Sequence, residues 1–211
     1  MTTPRLIDIS IQLHAGIPTW PGSAGFRLSR SQTMERDAVT VSRLDMDVHC
    51  GTHVEAPMHF LPGGHDLGAI PLTVFVGPAR VVHLPKATSI AAADLAAADV
   101  PAETERLLLR TRNSDGWQGR PFQTDYVALL PDAAAWIVEH GIRLVGIDYL
   151  SVERFGDDPE THRTLMRAGI AILEGLDLSR ADPGEYRLHA LPLHLADSEA
   201  SPVRAILEML S

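Results

Sequence analysis

The chain has 211 residues, enough for one domain with a substantial core, and 45% of them are hydrophobic, the usual globular proportion. With 18 basic and 27 acidic residues it carries a net charge of −9 at pH 7, which argues against nucleic acid or an anionic membrane surface as a partner. The single cysteine, Cys50, excludes an intrachain disulfide framework and suits a reducing compartment. No apolar run reaches transmembrane length, and residues 1–5 lack the apolar stretch of a secretory leader, so a cytoplasmic location is expected. No linker, repeat or low-complexity tract divides the chain, and residues 1–211 read as a single domain.

Residues 6–13 alternate Ile7, Ile9, Ile11 and Leu13 against Leu6, Asp8, Ser10 and Gln12, the pattern of a strand with one apolar face. Pro18-Thr19-Trp20-Pro21-Gly22 cannot continue it and should form a rigid loop. Residues 39–49 alternate again. They predict a strand with Leu44, Met46 and Val48 on one face and Asp45, Asp47 and His49 on the other, broken at Gly51. A short apolar strand follows at 79–84, then a helix at 89–98 with Ser89 as its N-cap. Residues 106–111 and 126–130 read as strands, and 132–140 as a helix closed by Gly141. Residues 143–148 form a buried strand, and 160–168 have helical composition before Gly169. The apolar run 170–173 leads into Glu174, and 187–195 and 203–209 are late strands. Strands outnumber helices, and the helices are scattered among them. This order predicts an α/β or α+β fold with a mixed sheet rather than a regular doubly wound one.

The densest chemistry lies in His49-Cys50-Gly51-Thr52-His53-Val54-Glu55-Ala56-Pro57-Met58-His59. Three histidines and a carboxylate fall within eleven residues, with Gly51 and Pro57 to bend the backbone. Imidazole and carboxylate donors together suit Zn(II) or Mn(II). With Gly51 between them, His49 and His53 fit a strand-to-loop turn better than one helix face, and Pro57 restricts the direction in which His59 projects. No CxxC or HExxH spacing is present. The bland alternative is a polar loop with three unrelated histidines.

Cys50 reads as a buried structural thiol, since nothing nearby marks a depressed pKa. Trp20, bracketed by prolines, is either an aromatic plug over the core or a wall that stacks on an aromatic substrate. His14, His65, His83, His140, His189 and His194 have no ligand spacing around them.

The motif at 49–59 resembles the H-x-G-T-H-x-D-x-P-x-H motif of the cyclase family of metal-dependent hydrolases, which includes bacterial kynurenine formamidase and isatin hydrolase. The resemblance extends to residues 17–22, 75–82, 144–152, 169–176, 190–193 and 201–204, close to the whole chain. It implies a swivelling β/β/α fold, usually in a homodimer or homotetramer. It also implies that His49, His53 and Glu55 occupy the first metal-ligand positions, that His162 and Glu174 match a second pair of ligands, that His59 is the catalytic acid/base, and that Trp20 contacts substrate. The cofactor implied is one or two zinc ions, with manganese also acceptable.

Three departures from the pattern stand out. Glu55 replaces the usual Asp, which moves the carboxylate by about one C–C bond, roughly 1.5 Å. Thr161-His162 stands where formamidases often carry a His pair, and Tyr149-Leu150 replaces a common Thr-Pro. The implied reaction is hydrolysis of a small aryl formamide of the N-formylkynurenine type, or of a cyclic amide such as isatin, by metal-activated water. A metal-dependent cyclase or lyase of secondary metabolism would use the same ligands. A non-catalytic, metal-stabilised binding protein is a third reading, though such a site has no need of an acid/base like His59.

Overall fold

Four parallel strands form the spine of the molecule, and antiparallel strands extend it on both sides. The computed structural model describes residues 5–115 and 119–210, and residues 1–4 lie outside it. In chain order the strands are β1 (Leu6–Asp8), β2 (Arg27–Gln32), β3 (Val41–Asp45), β4 (His53–Glu55), β5 (Val76–His83), β6 (Arg106–Arg110), β7 (Leu144–Ile147), β8 (Ala171–Glu174), β9 (Gly184–His189), β10 (Ala200–Pro202) and β11 (Ile206–Met209). The helices are α1 (Met34–Asp37), α2 (Ala92–Ala97), α3 (Pro131–Glu139) and α4 (Glu160–Arg167). Nine strands form one mixed sheet in the order β1-β11-β9-β5-β6-β7-β8-β4-β10, parallel from β5 to β8 and antiparallel elsewhere. β2 and β3 form a separate hairpin. This is the mixed α+β architecture expected. No helix among the described residues is long and apolar enough to cross a membrane.

Strand alternation builds two cores from one sheet. Leu107, Leu109, Val145, Ile147 and Ile172 pack under the helices with Ile137 of α3 and Leu165 of α4. Their neighbours Leu108, Leu144 and Leu173 join Val54, Phe75, Leu188 and Leu207 on the opposite face. Nearly all are completely buried, and each such side chain stabilises the fold by about 1.5–3 kcal/mol.

Several local expectations change. The strand expected over 39–49 ends at Asp45, and His49 lies in a turn in which the Cys50 amide donates to the Asp47 carbonyl. The alternation belongs to an exposed hairpin: Leu44 pairs with Leu28, and both are about half exposed. β2, its partner, had no clear apolar period to reveal it. The helix expected at 89–98 begins at Ala92, and the Asp94 carboxylate accepts the Ala91 amide. Ile90 is instead drawn into a bridge with Leu129, and that bridge is all that remains of the strand expected at 126–130. β1 is shorter than its pattern, but Ile9 and Ile11 are buried as the pattern requires. Cys50 is buried beside Ile11, Ile17 and Tyr149, and burial pushes its thiol pKa up, in keeping with a structural role.

β4 and the end of β8 are held by close backbone contact. Gly175 has φ +69°, and a Cβ there would lie 2.3 Å from the Gly51 carbonyl oxygen. The Thr52 hydroxyl donates to the Gly175 carbonyl at 2.6 Å and accepts the Ile11 amide at 3.0 Å. Gly175→Ala should therefore cost more than the roughly 1–2 kcal/mol of a left-handed alanine, because the backbone must also move. Urea denaturation checks this, and unchanged stability would contradict the packing described.

Candidate metal centre

Pairing of β4 with β8 brings most of the chemistry together. His53 and Glu174 are direct cross-strand partners, and Glu55 follows His53 on the same face of β4. Val54, between them, points into the opposite core. α4 lies over this face and presents His162. The turn before β4 supplies His49, and the 3₁₀ turn Pro57–His59 supplies His59.

The resulting distances are short. His49 Nδ1 lies 2.9 Å from Glu55 Oε1, and His53 Nε2 lies 3.4 Å from Glu55 Oε1 and 3.5 Å from Glu174 Oε2. His162 Nε2 is 3.3 Å from Glu174 Oε1 and 3.7 Å from Glu55 Oε2. His59 Nε2 is 3.7 Å from Glu55 Oε1, and its ring sits 4.2 Å from that of His49. Two donor groups, His49/Glu55/His59 and His53/Glu55/Glu174, each have their donor atoms within 4.8 Å of one another, and they share Glu55. His53 Nε2, His49 Nε2 and Glu55 Oε2 are buried without a hydrogen-bond partner. Buried polar atoms are rarely left so, and three converging at one place fit a cation.

The ring tautomers agree with this. His53 Nδ1 donates to the Gly51 carbonyl at 2.9 Å, which leaves the Nε2 lone pair facing the carboxylates. His162 Nδ1 donates to Glu153 Oε2 at 2.8 Å, a carboxylate–histidine pair of the kind that orients metal-binding imidazoles. Glu153 also accepts the Thr161 and His162 amides, so one carboxylate both caps α4 and aims its histidine.

The site floors a cavity of about 540 Å³, a size suited to a small molecule. Trp20 lines its wall, 40% exposed, with its ring 5.3 Å from those of both Phe122 and Phe155. The two readings of Trp20 thus describe one side chain, packed behind and open in front. Phe60 stacks on His162 at 4.3 Å.

The Cyclase family model matches residues 7–154 of this chain. The chain belongs to the cyclase family. It is 38% identical to a kynurenine formamidase of Paracidovorax citrulli, covering 98% of both chains. It is 40% identical to a kynurenine formamidase of Bacillus mycoides, covering 98% of this chain and 99% of the relative. A solved structure from Bacillus stearothermophilus, described as a predicted metal-dependent hydrolase, superposes with a TM-score of 0.85 at 33% identity, covering 98% of this chain and 99% of that one. Isatin hydrolase A from Labrenzia aggregata shares the fold, with a TM-score of 0.82 at 23% identity over 97% of this chain and 93% of that one.

In this cyclase-family chain the surroundings pull the pKa values of the two buried carboxylates in opposite directions. Burial raises the pKa of Glu55, but the hydrogen bond from His49 and the imidazoles of His53 and His162 close by outweigh it and hold Glu55 well below the usual carboxylate range. Glu174 is pushed up by burial and by the charge of Glu55. Burial alone would lower His162, yet Glu153 and Glu174 raise it to about 10. His49 is raised by Glu55 against its own burial. His59 is lowered, chiefly by burial.

Glu153 had no sequence signature: it lies outside the local spacing of a helix cap and reaches α4 only through the loop between them. The same is true of Glu199, whose Oε1 is 3.4 Å from His49 Nε2.

Two predictions follow from this geometry. In Glu153→Gln the new amide can donate to His162 Nδ1, which favours the tautomer protonated at Nε2. Affinity for Zn(II) or Mn(II) should fall about 10- to 100-fold with helix content retained, checked by calorimetry and circular dichroism. His162, raised to about 10, holds a proton at neutral pH when no metal is bound, and this proton must leave when a cation binds. Mn(II) affinity should therefore rise from about pH 6 to 8, with protons released into buffer; a flat profile would contradict the protonation described.

Proposed function

We propose that this chain is a metal-dependent amidohydrolase acting on a small aryl formamide of the N-formylkynurenine type. The observation that carries this reading is the pair of donor groups sharing Glu55 at the floor of a cavity walled by Trp20. The full-length relatives named kynurenine formamidase support the same substrate class.

His49, His53, Glu55, His162 and Glu174 would hold the cation. Their mixed nitrogen and oxygen donors suit zinc or manganese, and the shared Glu55 suits two ions better than one. A divalent cation there supplies Lewis-acid chemistry, acidifying water and polarising an amide carbonyl. His59 stands beside this cluster with a side chain 31% exposed, against 2% for His53. Its lowered pKa keeps the ring neutral at pH 7, so Nε2 can accept a proton from water and pass it to the leaving nitrogen. Its distance also allows ligation, but its place at the rim favours proton transfer. Trp20 offers an apolar face on which the aryl ring stacks and from which water is excluded.

Elemental analysis and turnover of N-formylkynurenine, with and without chelator, test this reading. Activity lost with the metal and restored by Zn(II) or Mn(II) supports it; chelator-resistant turnover sinks it. His59→Ala should keep its metal and lose roughly 10²–10⁴-fold in kcat, whereas His53→Ala should lose metal as well. A fully active His59→Ala enzyme would show that the proton acceptor lies elsewhere.

A further inference from the structure

The cavity wall carries a charge pattern that the metal centre does not use. Among the described residues lining it, Arg154 is the one lysine or arginine. Five carboxylates line it as well, and four are engaged. Asp47 accepts from the Ser23 hydroxyl and the Ala24 amide. Glu55 pairs with His49, Glu153 with His162, and Glu174 accepts the Val152 amide at 2.6 Å. The fifth, Asp157, has no hydrogen-bond or ion-pair partner for its side chain among the described residues, and neither has Arg154. The unpaired cation and the unpaired anion of this wall are thus three residues apart.

They share one turn, in which the Asp157 amide donates to the Arg154 carbonyl at 3.3 Å. The turn is anchored from below, where the Glu153 amide donates to the Ser151 hydroxyl and the Glu153 carbonyl accepts the Tyr126 hydroxyl. Opposite charges so placed are free to close on each other, yet these two do not approach within 4 Å. Separated, they present one cationic and one anionic contact to whatever enters the cavity. A guanidinium fits a carboxylate bidentately, and a carboxylate fits an ammonium.

We propose that Arg154 and Asp157 form a rim that recognises a zwitterion and holds the α-amino-acid end of the substrate while its amide lies against the metal centre. This rests on the amidohydrolase reading and sharpens it. The substrate carries an aryl amide at one end and an ammonium carboxylate at the other, and an uncharged aryl formamide fills only the inner part of the cavity.

The test compares N-formyl-L-kynurenine with formanilide in the metal-loaded wild type, Arg154→Gln, Arg154→Lys and Asp157→Asn, with calorimetric binding of L-kynurenine to each. The kcat/KM ratio of N-formylkynurenine over formanilide should fall about 10- to 100-fold in Arg154→Gln, through KM rather than kcat, and recover in part in Arg154→Lys. Asp157→Asn should move the ratio the same way by less. An unchanged ratio in both Arg154→Gln and Asp157→Asn overturns the proposal, leaving the two as solvated charges on a surface turn. If the wild type hydrolyses neither substrate, the amidohydrolase reading fails by itself. L-kynurenine binding then decides the rim: weaker binding in both variants keeps it, and equal or absent binding in all four proteins overturns it.

Discussion

Glu55 and Glu174 are both about 2% exposed and face the same end of the sheet, and the surrounding structure makes two buried carboxylates tolerable there. Isolated charges at such a place would cost several kcal/mol each. His53 lies between them, His49 donates to one, and His162 approaches both. The charge of His162 serves as counter-charge when no metal is present, and a divalent cation would serve better, because it would also satisfy the imidazole nitrogens left without partners. The raised histidines, the depressed Glu55 and the lifted Glu174 are consequences of this one constraint.

The fold meets it with short, rigid elements. β4 has only three residues, but antiparallel neighbours on both sides set its register. Strict alternation then sends Val54 into one core and its neighbours His53 and Glu55 to the other face. Gly51 and Gly175 allow the two backbones to approach, and the Thr52 hydroxyl ties them. Glu153 links the placement of α4 to the orientation of His162, so positioning the helix and choosing the ring tautomer become a single event. Asp148 at the end of β7 works similarly without chemistry of its own: it accepts from Thr111 and Ser114 and secures the loop after β6.

The cavity is built from two unlike halves. Its floor is charged, and its wall is aromatic, where Trp20 leans on Phe122 and Phe155, and Phe122 contacts Tyr126 and Tyr149 behind. Such a wall lowers the local dielectric, which strengthens every interaction at the floor. The same loop that carries Phe155 carries Arg154 and Asp157, so apolar stacking and charge recognition arise on adjacent residues.

Much of this was legible in the residues. The clustered histidines of 49–59 already pointed to a cation, because donor type and spacing are local properties. The buried strands β6 and β7 and the helices α3 and α4 were equally plain from apolar runs, composition and glycine stops, whereas β8 showed only as an apolar run before Glu174. The hairpin β2–β3 misled, because alternation reports a strand but not whether anything covers it, and so His49 was assigned to a strand face instead of a turn. The family resemblance named His162 and Glu174 as ligands, but tertiary structure alone decided how distant residues meet: Glu174 opposite His53, His162 over both, Glu153 beneath His162, and an arginine and an aspartate left unpaired at the rim among the described residues. Those contacts depend on strand register and loop path, which are set by the packing of the whole sheet and leave no periodic trace near the residues they join.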